Sequence, residues 1–176
     1  MYKSKQVKVL QVTSIDTPLG PMVGVSDEEA LYLLEFVNRR RLEQEIERLR
    51  NTFKVSIISG KTEILDSIEK ELEQYFKGEL KEFSTPIIMM GTPFQKRVWL
   101  ELNKIPMGET CSYSDIAKKL KNDGAMRAVG SANGANQIAI VIPCHRVINS
   151  NGQLGGYGGG LTRKKWLLEH EACYGK

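Results

Sequence analysis

The stretch KEFSTPIIMMGTP, residues 81–93, separates two parts of the chain that have different sequence patterns. Its two prolines and its glycine interrupt regular backbone hydrogen bonding, which is typical of a connection between folding units. Strand-like and helix-like patterns mix before this stretch, and helix-like patterns dominate after it. We therefore predict two domains, residues 1–86 and residues 87–176, in a chain of 176 residues.

The first domain is predicted to be α+β, with a mixed or antiparallel sheet and helices. VKVLQVTSI (residues 7–15) has the pattern of a strand, and TPLGPMVGVSDEEALYLLEF (17–36) that of two strands joined by a polar turn. Apolar residues recur at helical spacing in RRRLEQEIERLRN (39–51) and in KTEILDSIEKELEQYFKGEL (61–80). Residues 53–58 are ambiguous and fit a short strand best. This half contains no catalytic or ligand-binding motif, so we expect it to act as a scaffold.

The second domain is predicted to be mostly α-helical. Thr92 can cap a helix, Pro93 suits its first turn, and Gln95 completes a capping box. Further along, SYSDIAKKLK (112–121) and AMRAVGSANGAN (125–136) predict two short amphipathic helices separated by the turn NDG. Two short helices joined by a tight turn that contains glycine are typical of a helix-turn-helix.

The net charge of +4 is distributed unevenly. Residues 1–90 carry 13 Lys and Arg against 15 Asp and Glu, whereas residues 91–176 carry 12 against 6. Clustered positive charge favours binding to a polyanion such as nucleic acid, although solvated surfaces also carry such charge. The charge alone leaves both interpretations open, and the helix-turn-helix in the basic half favours the first.

Other function classes are excluded by what the sequence lacks. It has no secretory signal pattern and no apolar run of membrane-spanning length, so we expect a soluble, cytoplasmic protein without a membrane partner. The cysteines are odd in number and widely spaced, and the chain has only two histidines. We therefore predict no disulfide framework, no metal site and no cofactor. The cysteines are Cys111, Cys144 and Cys173.

Cys144 stands out in AIVIPCHRVINSNG, residues 139–152, between an apolar run that we expect to be extended and a glycine-rich loop. A lone cysteine is usually a small buried apolar residue. Here Pro143 places the thiol at a bend, and the neighbours His145 and Arg146 favour the reactive thiolate. Six glycines between residues 152 and 160 let the backbone approach a flat ligand closely.

Adjacent residues point away from each other, so His145 can serve the thiol only around a turn or through a water molecule. A histidine base also needs an orienting partner, usually a carboxylate. Glu169 and Glu171 in the last predicted helix are both candidates, and they lie on different faces of it. The other imidazole, His170, is interpreted as a packed helix residue.

With these residues assembled, the second half resembles the O6-alkylguanine-DNA alkyltransferases. The similarity covers nearly all of residues 91–176, and the family's motifs come in its order and spacing. The first half resembles the family's N-terminal domain more loosely, mainly through residues 17–36. The resemblance implies a ribonuclease H-like first domain and a winged-helix-like second domain. The matching stretches are GTPFQKRVW, IPMGETCSYSDIA, MRAVGSANGAN, IPCHRV, GYGGG and KKWLLEHE.

The resemblance implies DNA repair by direct and stoichiometric alkyl transfer. Cys144 would attack the alkyl carbon on guanine O6, and by the same chemistry O4-alkylthymine, and keep the group as a thioether. The family's cysteine, water, histidine and glutamate relay corresponds to Cys144, His145 and Glu171, which selects Glu171 over Glu169 by alignment. Asn136 matches the family's hinge asparagine.

The resemblance also assigns the base pocket. Tyr113 would donate a proton toward guanine N3, and the amide of Gly158 would bond O6. The carbonyls of Cys144 and Val147 would hold the exocyclic amine, and Tyr157 would form a wall.

The partner implied is double-stranded DNA that contains O6-alkylguanine, bound by a monomer. Because the lesion lies inside the stack, its nucleotide must be flipped out. Arg127 would fill the vacated space from a helix in the minor groove, and Tyr113 would press on the adjoining phosphate. Residues that match contacts to the DNA backbone are Gln95, Ser114, Asn122 and Ser150.

Two positions depart from the family pattern. Gln137 stands where the family often has proline, and Gly158 where many members have serine, so only a backbone donor remains there. Two other functions stay open on the residues alone. One is a lesion-binding module without chemistry, and the other is a cysteine hydrolase that uses Cys144 and His145.

Overall fold

The computed structural model describes residues 7–175, and it contains the two predicted kinds of domain. The first domain is a sheet with helices, and the second is mostly helical, as the sequence predicted. The elements of the first are β1 (Val9–Ile15), β2 (Met22–Ser26), β3 (Leu31–Phe36), α1 (Leu42–Phe53), β4 (Ser56–Ser59) and α2 (Glu63–Phe76). Those of the second are α3 (Pro93–Leu102), β5 (Cys111–Ser112), α4 (Tyr113–Lys119), α5 (Met126–Gly134), β6 (Val147–Ile148) and α6 (Leu161–Tyr174).

The sheet of the first domain is mixed, with the strand order β3-β2-β1-β4. β1 pairs antiparallel with β2, and β2 with β3, while β4 joins the other edge of β1 in parallel. The ambiguous segment is divided between two elements, since α1 ends at Phe53 and β4 begins at Ser56. Leu10, Val25 and Leu33 belong to a small apolar cluster with α1, while α2 covers the opposite face.

The helices of the second domain begin where the sequence places caps. Thr92 accepts a hydrogen bond from the Gln95 amide, and the Gln95 side chain accepts one from the Thr92 amide, so the predicted capping box is confirmed. Ser112 and Asp115 cap α4 in the same reciprocal way. A short 3-10 turn, Asp123–Ala125, joins α4 to α5, and both helices pack on α3. This arrangement forms the predicted helix-turn-helix.

The two domains share one apolar core. Buried residues of α2 and β3 belong to the same cluster as those of α3, α4 and α5. The edge strand β3 also bonds the second half directly, because the Leu34 amide donates to the Gln137 carbonyl at 2.9 Å. The connecting stretch lies against β3 as well, with the Leu31 amide donating to the Pro86 carbonyl at 2.8 Å. The domain boundary after residue 86 stays a prediction, because the chain on both sides of it contacts β3.

Among residues 7–175, no helix has the length and apolar character needed to cross a membrane.

Glu71 fastens the connecting stretch to α2. Its carboxylate accepts four hydrogen bonds, from the amides and the hydroxyls of Ser84 and Thr85, at 2.5 to 3.1 Å. Burial alone would raise the pKa of Glu71, but these bonds outweigh it and lower the pKa below its ordinary value. The bonds therefore stabilise the folded state above the ordinary carboxyl pKa, and this contribution is lost as the pH falls through the lowered one.

We expect Glu71→Gln to lower the free energy of unfolding by about 1.5–3 kcal/mol at neutral pH, because the amide presents N–H groups to existing donors. The difference from the wild type should shrink below about pH 4. Urea unfolding at several pH values measures both effects. Glu69→Gln is the control, since the half-exposed Glu69 side chain lies 3.4 Å from the exposed Lys61 ammonium. Equal losses in the two variants would contradict the interpretation.

Candidate active site

Cys144 begins a second 3-10 turn, Cys144–Arg146, and only 5% of the residue is exposed. The preceding QIAIVI is a series of tight turns in which the Ile142 amide donates to the Ile138 carbonyl at 3.0 Å. The expectation that this run is extended is therefore wrong, since a short apolar run does not distinguish a strand from a buried turn. Ile140 has a φ of 71°, in the left-handed region that β-branched residues rarely adopt.

Asn136 holds this bend together from its centre. Its Nδ2 donates to the Ile142 carbonyl at 2.9 Å and to Cys144 Sγ at 3.2 Å, and its Oδ1 accepts from the Ile138 amide at 3.0 Å. Asn133 adds a bond from its Nδ2 to the Cys144 carbonyl at 3.2 Å. The two asparagines thus fix both the thiol and the backbone of the nucleophile candidate.

The turn directs the His145 ring away from the pocket and onto α6. His145 Nε2 lies 2.7 Å from Glu171 Oε1, and both side chains are fully buried. Glu169, the other carboxylate left open by the sequence, is exposed and lies 3.8 Å from Lys165. The structure therefore brings His145 together with Glu171 and not with Glu169.

Arg146 also binds Glu171. Its Nε lies 2.8 Å from Glu171 Oε2 and its Nη2 lies 3.0 Å from Oε1, while Nη1 donates to the Ile105 carbonyl at 2.6 Å. The sequence suggested that Arg146 favours the thiolate of its neighbour. The structure instead directs the guanidinium to the buried carboxylate, which it neutralises.

Burial and hydrogen bonding together set the protonation states. Burial opposes ionisation of Glu171, but the bonds from His145 and Arg146 outweigh it and hold the pKa of Glu171 well below its usual range. Burial lowers the pKa of His145 against the opposing effect of Glu171, which favours the neutral ring. Burial raises the pKa of the Cys144 thiol to about 11, although the Asn136 bond acts in the opposite direction. The resting site therefore holds a thiol, a neutral imidazole and a carboxylate.

A cavity of about 490 Å³ opens onto Cys144. Tyr113, Tyr157 and Gly158, which the sequence assigned to the base pocket, all line it. A larger cleft of about 570 Å³ lies between the connecting stretch and the second domain, beside Pro143, and does not include Cys144. The remaining lining residues of the first cavity are Arg39, Arg40, Arg41, Gly130, Ser131, Asn133, Gly134 and Gly156.

Val147 does not line this cavity. Its carbonyl accepts a hydrogen bond from the buried Lys164 Nζ at 2.5 Å, and the same ammonium donates to the Gly156 carbonyl at 3.2 Å. Burial lowers the pKa of Lys164 to about 8. The carbonyl predicted to hold an exocyclic amine therefore already has one partner.

Arg39 is a pocket residue that the sequence did not reveal. It comes from the loop between β3 and α1, forms an ion pair with Glu35, and lies 2.9 Å from Glu45. The same guanidinium donates to the carbonyls of Gly134 and Asn136, both at 2.9 Å. The first domain thus contacts the bend that holds Cys144, and it contributes Arg39 to the lining of the cavity.

One signal in the sequence could have identified Arg39. Glu35 is a carboxylate inside the apolar strand LYLLEF, and a buried carboxylate requires a partner. The structure also accounts for Gly158, because a Cβ there would lie 2.9 Å from Arg39 Nη1. Glycine at this position leaves room for the guanidinium.

The residues predicted to contact DNA lie at or near the surface of the second domain. Arg127 is exposed in the first turn of α5, and Asn122 is exposed just before it. Ser114, in the first turn of α4, lies 3.5 Å from Ser150 through their hydroxyls. The Gln95 side chain accepts a hydrogen bond from the Thr92 amide as part of the N-terminal cap of α3. Among the described residues, no group of three or more His, Cys, Asp or Glu could hold a metal ion.

Comparison with known proteins identifies two matching family models. Residues 10–88 match the ribonuclease-like domain of 6-O-methylguanine DNA methyltransferase, and residues 93–173 match its DNA-binding domain. The chain is 44% identical over 165 residues to a methylated-DNA–protein-cysteine methyltransferase of Mycobacterium tuberculosis, covering 93% of each protein.

Solved structures are similar over the same extent. The M. tuberculosis protein OGT in complex with DNA superimposes with a TM-score of 0.79 at 40% identity, covering 94% of each chain. The O6-methylguanine-DNA methyltransferase of Pyrococcus kodakaraensis has a TM-score of 0.67 at 28% identity, covering 92% of this chain and 98% of that one.

We expect Arg39→Met to lower the free energy of unfolding by about 3 kcal/mol, because Glu35 and Glu45 lose the buried guanidinium that pairs with both. Burial raises the pKa of Glu35 to about 8, so adding Glu35→Gln, which cannot ionise, should recover part of the loss. Arg40→Met is the control on an exposed neighbour. Urea unfolding measures the series, and equal stability of the two single arginine variants would refute the role given to Arg39.

Proposed function

This chain belongs to the 6-O-methylguanine DNA methyltransferase family, and we propose that it repairs alkylated DNA by moving the alkyl group of O6-alkylguanine onto Cys144. The observation that carries the proposal is a buried thiol facing a cavity of about 490 Å³, fixed by Asn136 and followed by a His145–Glu171 pair. The helix-turn-helix beside this cavity supplies the surface for duplex DNA.

The chemistry needs a strong, soft nucleophile, because an alkyl carbon on an aryl ether oxygen is a poor electrophile. The Cys144 thiolate attacks that carbon, a sulfur–carbon bond forms, and the carbon–O6 bond breaks. The electron pair of the broken bond goes to guanine O6, and the base takes up one proton. The thioether is stable, so each chain reacts once.

His145 is the base that removes the thiol proton. Its Nε2 faces an ionised Glu171, so the proton of the neutral ring is assigned to Nε2 and Nδ1 is free to accept one. Nδ1 is buried and has no hydrogen-bond partner among residues 7–175. Adjacent residues do not face each other, so the proton passes through an interposed water. Glu171 then stabilises the imidazolium.

The thiol pKa of about 11 means that Cys144 is activated at the moment of reaction and not stored as a thiolate. The Asn136 amide donates to Sγ, and it stabilises negative charge on the sulfur as the proton leaves. The positive charges of Arg39 and Lys164 act in the same direction.

The flipped base fits between Tyr113 and Tyr157, which line the cavity together with Gly158. The Gly158 amide bonds O6, and Tyr113 supplies a proton toward N3. The Cys144 carbonyl already accepts from the Val147 amide and from Asn133 Nδ2, so the exocyclic amine bonds it by replacing Asn133. The Val147 carbonyl is bonded by Lys164 outside the cavity lining and takes no part in this pocket. O4-alkylthymine is the second substrate of the same pocket.

DNA is bound by the N-terminal turns of the helix-turn-helix. α5 enters the minor groove, and Arg127 occupies the space in the base stack that the flipped nucleotide has left. The minor groove carries little sequence information, which suits a protein that must repair lesions in any sequence. Tyr113 lies against the adjoining phosphate. Contacts to the backbone come from Gln95, Ser114, Asn122 and Ser150. The protein acts as a monomer, and its cytoplasmic location stays a prediction.

We expect the protein to gain about 14 Da, one methylene equivalent, when incubated with duplex DNA that contains O6-methylguanine, with the gain confined to Cys144 and saturating at one per chain. Intact and peptide mass spectrometry measure this. Cys144→Ser should bind the DNA and gain nothing. Binding without a mass gain would favour the lesion-binding module, and multiple turnover would favour a hydrolase.

We expect Arg127→Ala to slow transfer from duplex DNA about 10-fold or more, and to leave transfer from the free base O6-benzylguanine nearly unchanged, because only the duplex requires flipping. Single-turnover assays on the two substrates give the comparison. Arg48→Ala, at an exposed position of α1, controls for the loss of one positive charge. Equal slowing on both substrates would remove Arg127 from the flipping step.

A further inference from the structure

Tyr75 connects the first domain to the proposed relay by a hydrogen bond to Glu171. It lies in the last turn of α2 and is fully buried. Its hydroxyl donates to Glu171 Oε1 at 2.7 Å, across 96 positions in the sequence. His145 Nε2 lies at the same distance from the same oxygen.

The Glu171 carboxylate accepts four hydrogen bonds. Its Oε1 receives His145 Nε2, Arg146 Nη2 and the Tyr75 hydroxyl, and its Oε2 receives Arg146 Nε. Two of these three residues belong to the 3-10 turn that carries Cys144. Tyr75 is the donor that comes from the first domain.

The position of the Tyr75 hydroxyl is itself fixed. The Tyr75 carbonyl accepts a hydrogen bond from His170 Nε2 at 2.7 Å, so α2 binds two consecutive residues of α6. Its ring lies 5.5 Å from Phe83 and 5.4 Å from His170, and His170 stacks on Trp166 at 4.8 Å. The tyrosine ring therefore stays in place whether or not it carries a hydroxyl, and Tyr75→Phe tests the hydroxyl alone.

We propose that Tyr75 is a positioning residue for alkyl transfer, which orients Glu171 and through it His145, so that the relay is complete only when the first domain is docked. This inference rests on the proposed function. Tyr75 itself touches neither the thiol nor the cavity, and it acts through the carboxylate.

The Tyr75 hydroxyl also lowers the basicity of the Glu171 carboxylate and, through it, that of the His145 ring. A donor on Oε1 withdraws charge from the oxygen that His145 faces, so that removing it lets the carboxylate hold the imidazolium more strongly. The titratable and charged groups that face Glu171 are His145 and Arg146 from the 3-10 turn and Tyr75 from α2. Those that act on His145 are Glu171 and Lys164 from α6 and Arg146 from the turn, and the Tyr157 ring lies 6.4 Å from the imidazole between ring centroids. His145 should therefore retain its proton to higher pH in Tyr75→Phe, and the acid limb of the rate profile should move upward.

The test compares single-turnover transfer from O6-methylguanine duplex DNA, from about pH 5 to about pH 9, in the wild type, Tyr75→Phe and Tyr32→Phe. Tyr32 is the matched control, because it is a buried tyrosine of the same domain whose hydroxyl donates to Asp27 at 2.8 Å, far from the site. We expect Tyr75→Phe to lower the rate at saturating DNA about 5- to 10-fold, to shift the acid limb upward and to leave DNA affinity unchanged. Tyr32→Phe should match the wild type.

The double variant with Glu171→Gln separates positioning from general damage. If Tyr75 acts through Glu171, Tyr75→Phe should cause no further loss of rate in that background. A wild-type rate profile in Tyr75→Phe, or a full additional loss in the double variant, would overturn the inference.

A measurement without DNA distinguishes this inference from the proposed function. The titration of the His145 ring, followed by ¹⁵N NMR, should have a higher midpoint in Tyr75→Phe than in the wild type and in Tyr32→Phe. An unchanged midpoint refutes the coupling even if the protein transfers alkyl groups. Failure of the wild type to transfer at all, with a shifted midpoint, refutes the proposed function and leaves Tyr75 as the residue that positions the His145–Glu171 pair.

Discussion

The carboxylate of Glu171, fully buried and ionised, is the constraint on which the rest of the structure depends. An isolated charge in such a place would cost several kcal/mol, so the fold must surround it with donors. It does so with His145, Arg146 and Tyr75, from two segments that are distant in sequence. These contacts fix the turn after Cys144, the last helix and the end of α2 relative to one another.

A second buried ionic cluster lies on the other side of the thiol. Arg39 joins two carboxylates of the first domain to the carbonyls of Gly134 and Asn136, which precede the bend. Asn136 in turn bonds Cys144 Sγ. Cys144 is therefore held by groups that the first domain helps to position, although that domain has no catalytic motif of its own.

Local patterns predicted much of this from the sequence. The capping box at Thr92 and Gln95 and the α4–α5 pair follow from residues that are neighbours in the chain. The family motifs pointed to Cys144, His145 and Glu171, and the structure brings His145 and Glu171 into hydrogen-bond contact. Tyr75 could not be found in this way, because its hydroxyl acts across 96 positions and the residue looks like an ordinary helix residue in its own segment. The nearby Glu35 could have indicated Arg39 as a buried partner, but not the contacts of Arg39 with Gly134 and Asn136. The turns of QIAIVI were missed for a different reason, since six apolar residues fit a strand and a buried bend equally well. The contact of Arg146 with Glu171 depended on the direction of a turn that neighbouring residues do not specify.

The apolar cluster that runs from β3 and α2 into α3, α4 and α5 has a consequence for how this chain can vary. Neither half buries its own apolar residues completely. Expressing the two halves as separate proteins would therefore expose apolar surface on each product. Denaturation should then be a single all-or-none event, and hybrids made by exchanging halves with a distant relative should fail unless the residues flanking Leu34 and Gln137 are exchanged together.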